Sequence, residues 1–211
     1  MYTFQTPAPI TVTVDVLCAD VTVIADDRTD TVVEVRPADP AKKADVRAAE
    51  HTVVDFAAGT LSVTSRRDWH THTPFGGNPA IELVVAVPTG SQFTGIAAVG
   101  RLFGAGELGR CRLSISLGDI VIERPQESVT AKTAKGDIRI GEAVRGEFRL
   151  ETSSGELEVG VHPGSVVRME SETGAGAVHN LMDPVASTAE HVHIHARNIL
   201  GNIIVRHTVA A

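Results

Sequence analysis

Gly118-Asp119-Ile120-Val121-Ile122 recurs as Gly136-Asp137-Ile138-Arg139-Ile140 and again as Gly155-Glu156-Leu157-Glu158-Val159, at steps of 18 and 19 residues. A degenerate copy, Gly174-Ala175-Gly176-Ala177-Val178, follows 19 residues later, and a last copy stands at Gly201-Asn202-Ile203-Ile204-Val205. One step upstream, Gly100-Arg101-Leu102 keeps the same phase. Self-similarity at a short fixed period marks a repeat architecture, in which each unit buries its apolar face only by stacking on the next.

The residues before each glycine align as well. Seven positions upstream lie Phe93, Cys111, Val129, Phe148, Val167 and Ile194; five upstream lie Gly95, Leu113, Ala131, Leu150, Met169 and Ala196. Three upstream lie Ala97, Ile115, Thr133, Thr152, Ser171 and Asn198. Offsets that differ by two share one face of a strand. Beyond the glycine the apolar positions fall two and four downstream, so the phase flips there. A one-residue slip turns the core side outward unless the chain bends, and glycine at the slip marks a bulge or corner between two sheets. Each unit is therefore predicted to be strand, corner, strand, turn.

The N-terminal half carries the same pattern with insertions. Around Ala19 the inward series is Val12, Val14, Val16, then Val21 and Val23. Around Gly59 it is Thr52, Val54, Phe56, then Leu61 and Val63. Extra strands are predicted at Thr31–Val35 and Ala80–Val87. A short surface helix is expected in Asp39–Glu50, with Asp39 as N-cap and Pro40 at the first helical position. No low-complexity linker interrupts the chain. The fold expected is a single all-β domain over 1–211, a two-sheet β-solenoid or roll of roughly 19-residue Gly-centred repeats, with regular repeats over 93–205 and an elaborated N-terminal part.

Composition narrows the function classes. The 211 residues are 43% hydrophobic but only 4% aromatic, so the core must be aliphatic. A formal net charge of −7 argues against nucleic acid as partner. No window approaches the roughly 18 apolar residues of a membrane span. Met1–Pro7 has neither a basic n-region nor an apolar h-region, so a cytoplasmic location is expected. Two cysteines, Cys18 and Cys111, are too few for a disulfide scaffold. Cys111 falls in an inward column and should be inert; Cys18, just before a corner, is expected to be the more reactive thiol.

Valine-rich first strands, Gly59-Thr60-Leu61-Ser62-Val63, the turn Val87-Pro88-Thr89-Gly90 and the serial Gly-Asp-Ile-x-Ile units together resemble the bacterial β-strand-repeat family known as putative adhesins. The resemblance spans nearly the whole chain, and its motifs are structural punctuation. It implies a β-solenoid-like stack and a binding or envelope-linked role, with no catalytic residues to carry over.

Three constellations carry possible chemistry. His191-Val192-His193-Ile194-His195 puts three imidazoles on one strand face. They are weak candidates for a transition-metal site, because i to i+4 along a strand is roughly 13 Å. The segment Arg66–Pro79, the longest without strand alternation, holds Arg67, Trp69, His70 and His72. It is the candidate binding loop, since long loops on rigid scaffolds often carry function. Asp119, Asp137 and Glu156 stack beside the corner glycines about 4.8 Å apart. The nonapeptide of calcium-binding β-rolls is absent there, and Arg139 near Glu158 and Lys132 near Glu151 offer compensating charge. Nucleophile elbow, P-loop, Cys-x-x-Cys and dinucleotide fingerprints are all missing.

The reading is a non-enzymatic binding or scaffold protein with no cofactor. Its partner would be a protein or the cell envelope, and its terminal strands, notably Gly201–Val209, would pack against the extra N-terminal strands or a second subunit. The alternative is a small-ligand-binding or catalytic protein centred on the loop 66–79.

Overall fold

A computed structural model describes residues 1–65, 79–182 and 190–208. Among the described residues the chain forms sixteen strands and one helix. The N-terminal part comprises β1 (Tyr2–Gln5), β2 (Thr11–Asp26), β3 (Asp30–Pro37), α1 (Lys43–His51), β4 (Val53–Ala57), β5 (Thr60–Thr64) and β6 (Ile81–Pro88). Long strands β7 (Gln92–Leu108) and β8 (Cys111–Pro125) follow. The remaining units are pairs: β9 (Val129–Lys135) with β10 (Ile138–Ala143), then β11 (Gly146–Ser154) with β12 (Leu157–Val161). After them come β13 (Val166–Ala175) with β14 (Val178–Leu181), and β15 (His191–Leu200) with β16 (Ile203–His207).

The fold is all-β, one large hydrogen-bonded sheet that does not close on itself. From β2 onward the pairing along the stack is parallel and follows the repeat register. Ile120 faces Ile138, Ile138 faces Leu157, and Leu157 faces Ile203. Before the corner, Phe93 faces Cys111, Cys111 faces Val129, and Val129 faces Phe148. All of these side chains are fully buried. The phase flip happens at the glycines. Gly118 has φ +138°, and a Cβ there would collide with the carbonyl oxygen of Gly100 one unit below. Only glycine tolerates both the conformation and that approach.

The last two units are exchanged relative to sequence order. β15 lies between β11 and β13, and β16 lies between β12 and β14. Burial supplies the reason. The inserted unit carries Val192, Ile194, Ile203 and Val205, all fully buried, whereas the terminal unit places exposed Ser171 and Asn180 at inward register positions. A stack needs a polar last unit, and the degenerate copy is that cap. Its corner glycine is Gly176, not Gly174: Gly176 has φ +149°, and its missing Cβ points at the Gly201 carbonyl. Met169 therefore continues the Phe148–Ile194 column, and Val167 faces Val192 instead. The shift of two residues comes from the turn between β12 and β13, which holds Pro163 and Gly164. Strand 203–207 is consequently interior and does not pack on the N-terminal strands.

Two further expectations are corrected at the N-terminal end. Gly59 is not a corner. Ala58 (φ +50°) and Gly59 (φ +75°) are the two-residue loop of an antiparallel hairpin between β4 and β5, the φ pattern of a type I′ turn. The helix begins at Lys43 with Lys42 as N-cap; Asp39 instead closes a preceding turn by accepting the Ala41 N–H at 2.9 Å. The predicted extra strands are β3 and β6, which pair antiparallel. Helix α1 buries Asp45, whose carboxylate accepts the N–H of Asp39 at 3.2 Å and of Ala80 at 3.1 Å.

Candidate binding face

Alternation sends every second residue of β9, β11, β15 and β13 outward, and parallel in-register pairing lines these residues up in rows across the strands. One row runs Lys132, Glu151, Arg197, Glu172. Its signs alternate at every step. Lys132 Nζ lies 2.8 Å from Glu151, and Arg197 Nε lies 3.3 Å from Glu172. The hydrogen bond from Lys132 holds the Glu151 carboxyl below the usual carboxylate range.

The neighbouring row runs Arg149, His195, Glu170. His195 is bracketed: Nε2 stands 3.4 Å from Glu147 and Nδ1 3.3 Å from Glu170. Arg149 reaches the same Glu147 oxygen at 2.7 Å. Between the two rows the surface dips into an open depression of about 270 Å³, lined by Arg149, Glu151, Glu170, Glu172, His195 and Arg197.

The three histidines share the outer face as the alternation requires, but they do not converge. His191 faces Val166, His193 lies between Glu147 and Arg168, and His195 lies between Arg149 and Glu170. Both ring nitrogens of His195 thus face carboxylates of the neighbouring strands. Among the described residues no cluster of three or more His, Cys, Asp or Glu is placed to hold a metal ion. Arg67, Trp69, His70 and His72 lie outside the described residues.

The acid column beside the corners has a local purpose. Asp119 accepts the N–H of Asp137 at 2.8 Å, and Asp137 accepts the N–H of Glu156 at 2.7 Å. Asn202 repeats this with Ala177 at 3.0 Å. Each side chain thus caps the next unit's backbone, which offsets the crowding of carboxylates. The expected compensating pairs are present, Arg139 with Glu158 at 2.6 Å and Lys132 with Glu151. Cys111 is buried, and burial pushes its thiol up to about 12; Cys18 is half-buried.

Sequence reasoning missed Arg149, Glu151, Glu170, Glu172 and Arg197 as a group. The signal was available in their outward offsets, six and four before each corner glycine. It was hidden because Glu170 and Glu172 align only when the cap unit is counted from Gly176, and because β15 follows β13 in the chain yet precedes it in the stack.

No family model matches the chain, and no curated protein matches it. Solved structures similar to it include one described as a putative cell adhesion protein from Clostridium sporogenes, 11% identical, with 98% of each chain covered and a TM-score of 0.47. A putative lipid binding protein from Parabacteroides distasonis is 10% identical, with 99% of this chain and 96% of that chain covered and a TM-score of 0.36. A putative adhesin from Bacteroides fragilis is 11% identical, with coverage of 97% and 95% and a TM-score of 0.31. Two of these three structures are described as a putative cell adhesion protein and a putative adhesin.

Proposed function

We propose that this chain is a non-enzymatic binding scaffold, a two-sheet β-solenoid of corner-glycine units, which presents the outer face of β9, β11, β15 and β13 to a protein or cell-envelope partner. The observation that carries the reading is the row Lys132, Glu151, Arg197, Glu172, alternating in sign across four strands of fixed register. Exposed ion pairs add little to stability, typically about 0–1 kcal/mol each. A rigid, sign-alternating row instead gives register and partner discrimination, which is where charge contributes most in recognition. The shallow depression beside it suits an extended polar surface better than an enclosed small molecule.

Carboxyl footprinting with and without an extract of the native cell tests this. Glu151, Glu170 and Glu172 are expected to lose labelling on partner binding, while Glu158 and Glu123, on the opposite strands of each unit, keep theirs. Protection confined to Glu158 and Glu123 contradicts the assignment.

A further inference from the structure

Among the described residues the stack ends on β13 and β14, each paired on one side only. The other single-sided strands, β1, β4 and β14, are four or five residues long. β13 has ten residues, the longest open edge among the described residues. Long open edges are usually shortened, covered or paired.

We propose that β13 pairs antiparallel with β13 of a second copy of this chain, across a two-fold axis at Met169. The backbone fixes which residues can bond. Val166 N–H donates to Glu190 in the parallel ladder with β15. Even-numbered residues of β13 therefore turn their N–H and C=O toward β15, and Val167, Met169 and Ser171 turn theirs to the open side. A register centred on Met169 makes Met169 a hydrogen-bonded pair with its counterpart, and Val167 another with the counterpart of Ser171.

Charge then selects among the registers the backbone allows. Centred on Met169, Arg168 stands opposite the second copy's Glu170 twice over, in the closer non-hydrogen-bonded positions. Centring on Glu170 sets two glutamates face to face, and centring on Arg168 does the same with two arginines. Both side chains are exposed, Arg168 by 73% and Glu170 by 60%; their mutual contact is a loose 3.7 Å, and Glu170 reaches His195 through its other carboxylate oxygen at 3.3 Å. On the inner side, half-buried Val167 and Met169, which lie against the core end, would gain cover from the second copy. The interface is isologous, so it closes at a dimer and does not propagate.

Sedimentation equilibrium on the full chain tests the proposal. The wild type is expected to dimerise, and Arg168→Glu or Glu170→Arg alone should weaken the dimer by about tenfold or more, since each creates two like-charge pairs. The combined Arg168→Glu/Glu170→Arg chain should recover it. In a Cys18→Ser background, Met169→Cys should form an intermolecular disulfide, because hydrogen-bonded antiparallel pairs hold Cα atoms about 5.5 Å apart. Ser171→Cys should not. A monomeric wild type, a dimer indifferent to both reversals, or linkage through Ser171→Cys alone overturns the proposal.

Discussion

Asn198 reaches one strand down the stack and donates its side-chain amide to the carbonyl oxygen of Gly155 at 3.2 Å. Threonine fills this role elsewhere: Thr152 donates to Gly136 at 3.0 Å and Thr133 to Gly118 at 3.1 Å. Asn198 also accepts from Thr173 at 2.6 Å, so it joins the inserted unit to the units on both sides. From Gly136 onward the residue three before the corner glycine is thus a polar rivet for the neighbouring corner, whereas apolar Ala97 and Ile115 hold that place before Gly100 and Gly118.

Asn198→Ala removes the side-chain donor to the Gly155 carbonyl and leaves the Thr173 hydroxyl only its longer contact to the Gly201 carbonyl at 3.3 Å. Stability should fall by about 1–3 kcal/mol, read by denaturant unfolding. No loss would mean that the corner carbonyl is solvated rather than riveted.

Phe148→Ala removes a fully buried ring from the centre of the pre-corner column. The expected loss is about 3–5 kcal/mol. Arg149→Ala, one residue on and outward, should change stability by no more than about 0.5 kcal/mol. Equal effects of the two would contradict the register.

Corner glycines should be intolerant where a turn glycine is not. Gly136 has φ +146° and faces the Gly118 carbonyl, so Gly136→Ala should cost at least about 1–3 kcal/mol from backbone strain. The Cβ of Gly164→Ala would meet only His162 ring atoms, at 3.5 Å or more. Its melting temperature should stay near that of the wild type.

Two titrations follow from the environments. The Glu151 carboxyl is held down by Lys132. A depressed folded-state value favours the folded chain above the ordinary carboxylate range, and this contribution is lost as pH falls through the lowered value. Lys132→Met should bring the Glu151 midpoint, followed by carboxyl NMR, back up. Cys111 shifts the other way, to about 12. Its contribution is full below the unfolded thiol's value and is lost as pH rises through the folded one. Below that range only Cys18 should react with a thiol reagent, and Cys111 should follow the rate of unfolding.

Much of this was legible in the residues. The 18- and 19-residue spacing and the phase flip at Gly118, Gly136 and Gly155 specify strand, corner and strand, because glycine at the slip is a steric requirement. Stack order was not legible. Pairing between units depends on which unit buries more apolar surface, and period alone does not rank Val192 and Ile194 above Val167 and Met169. Gly59 misled for a related reason: a glycine between two alternating runs serves a hairpin as readily as a corner, and only the pairing direction separates them. The binding face was half legible. Lys132 opposite Glu151 followed from the spacing, whereas Arg197 and Glu172 joined that row only through the exchange of the last two units.

The most direct test of the binding face compares charge reversal on two surfaces of one stable scaffold. Arg197→Glu breaks the alternating row, and Arg139→Glu reverses an exposed arginine on a strand beyond the corner, where Glu158 keeps Arg206 as a partner. Both variants should melt within a few degrees of the wild type, since the lost pairs are exposed arginines. Partner capture, normalised to folded protein, should be lost with Arg197→Glu and kept with Arg139→Glu. Capture that survives Arg197→Glu and disappears with Arg139→Glu would place the partner on the strands beyond the corner and contradict the account.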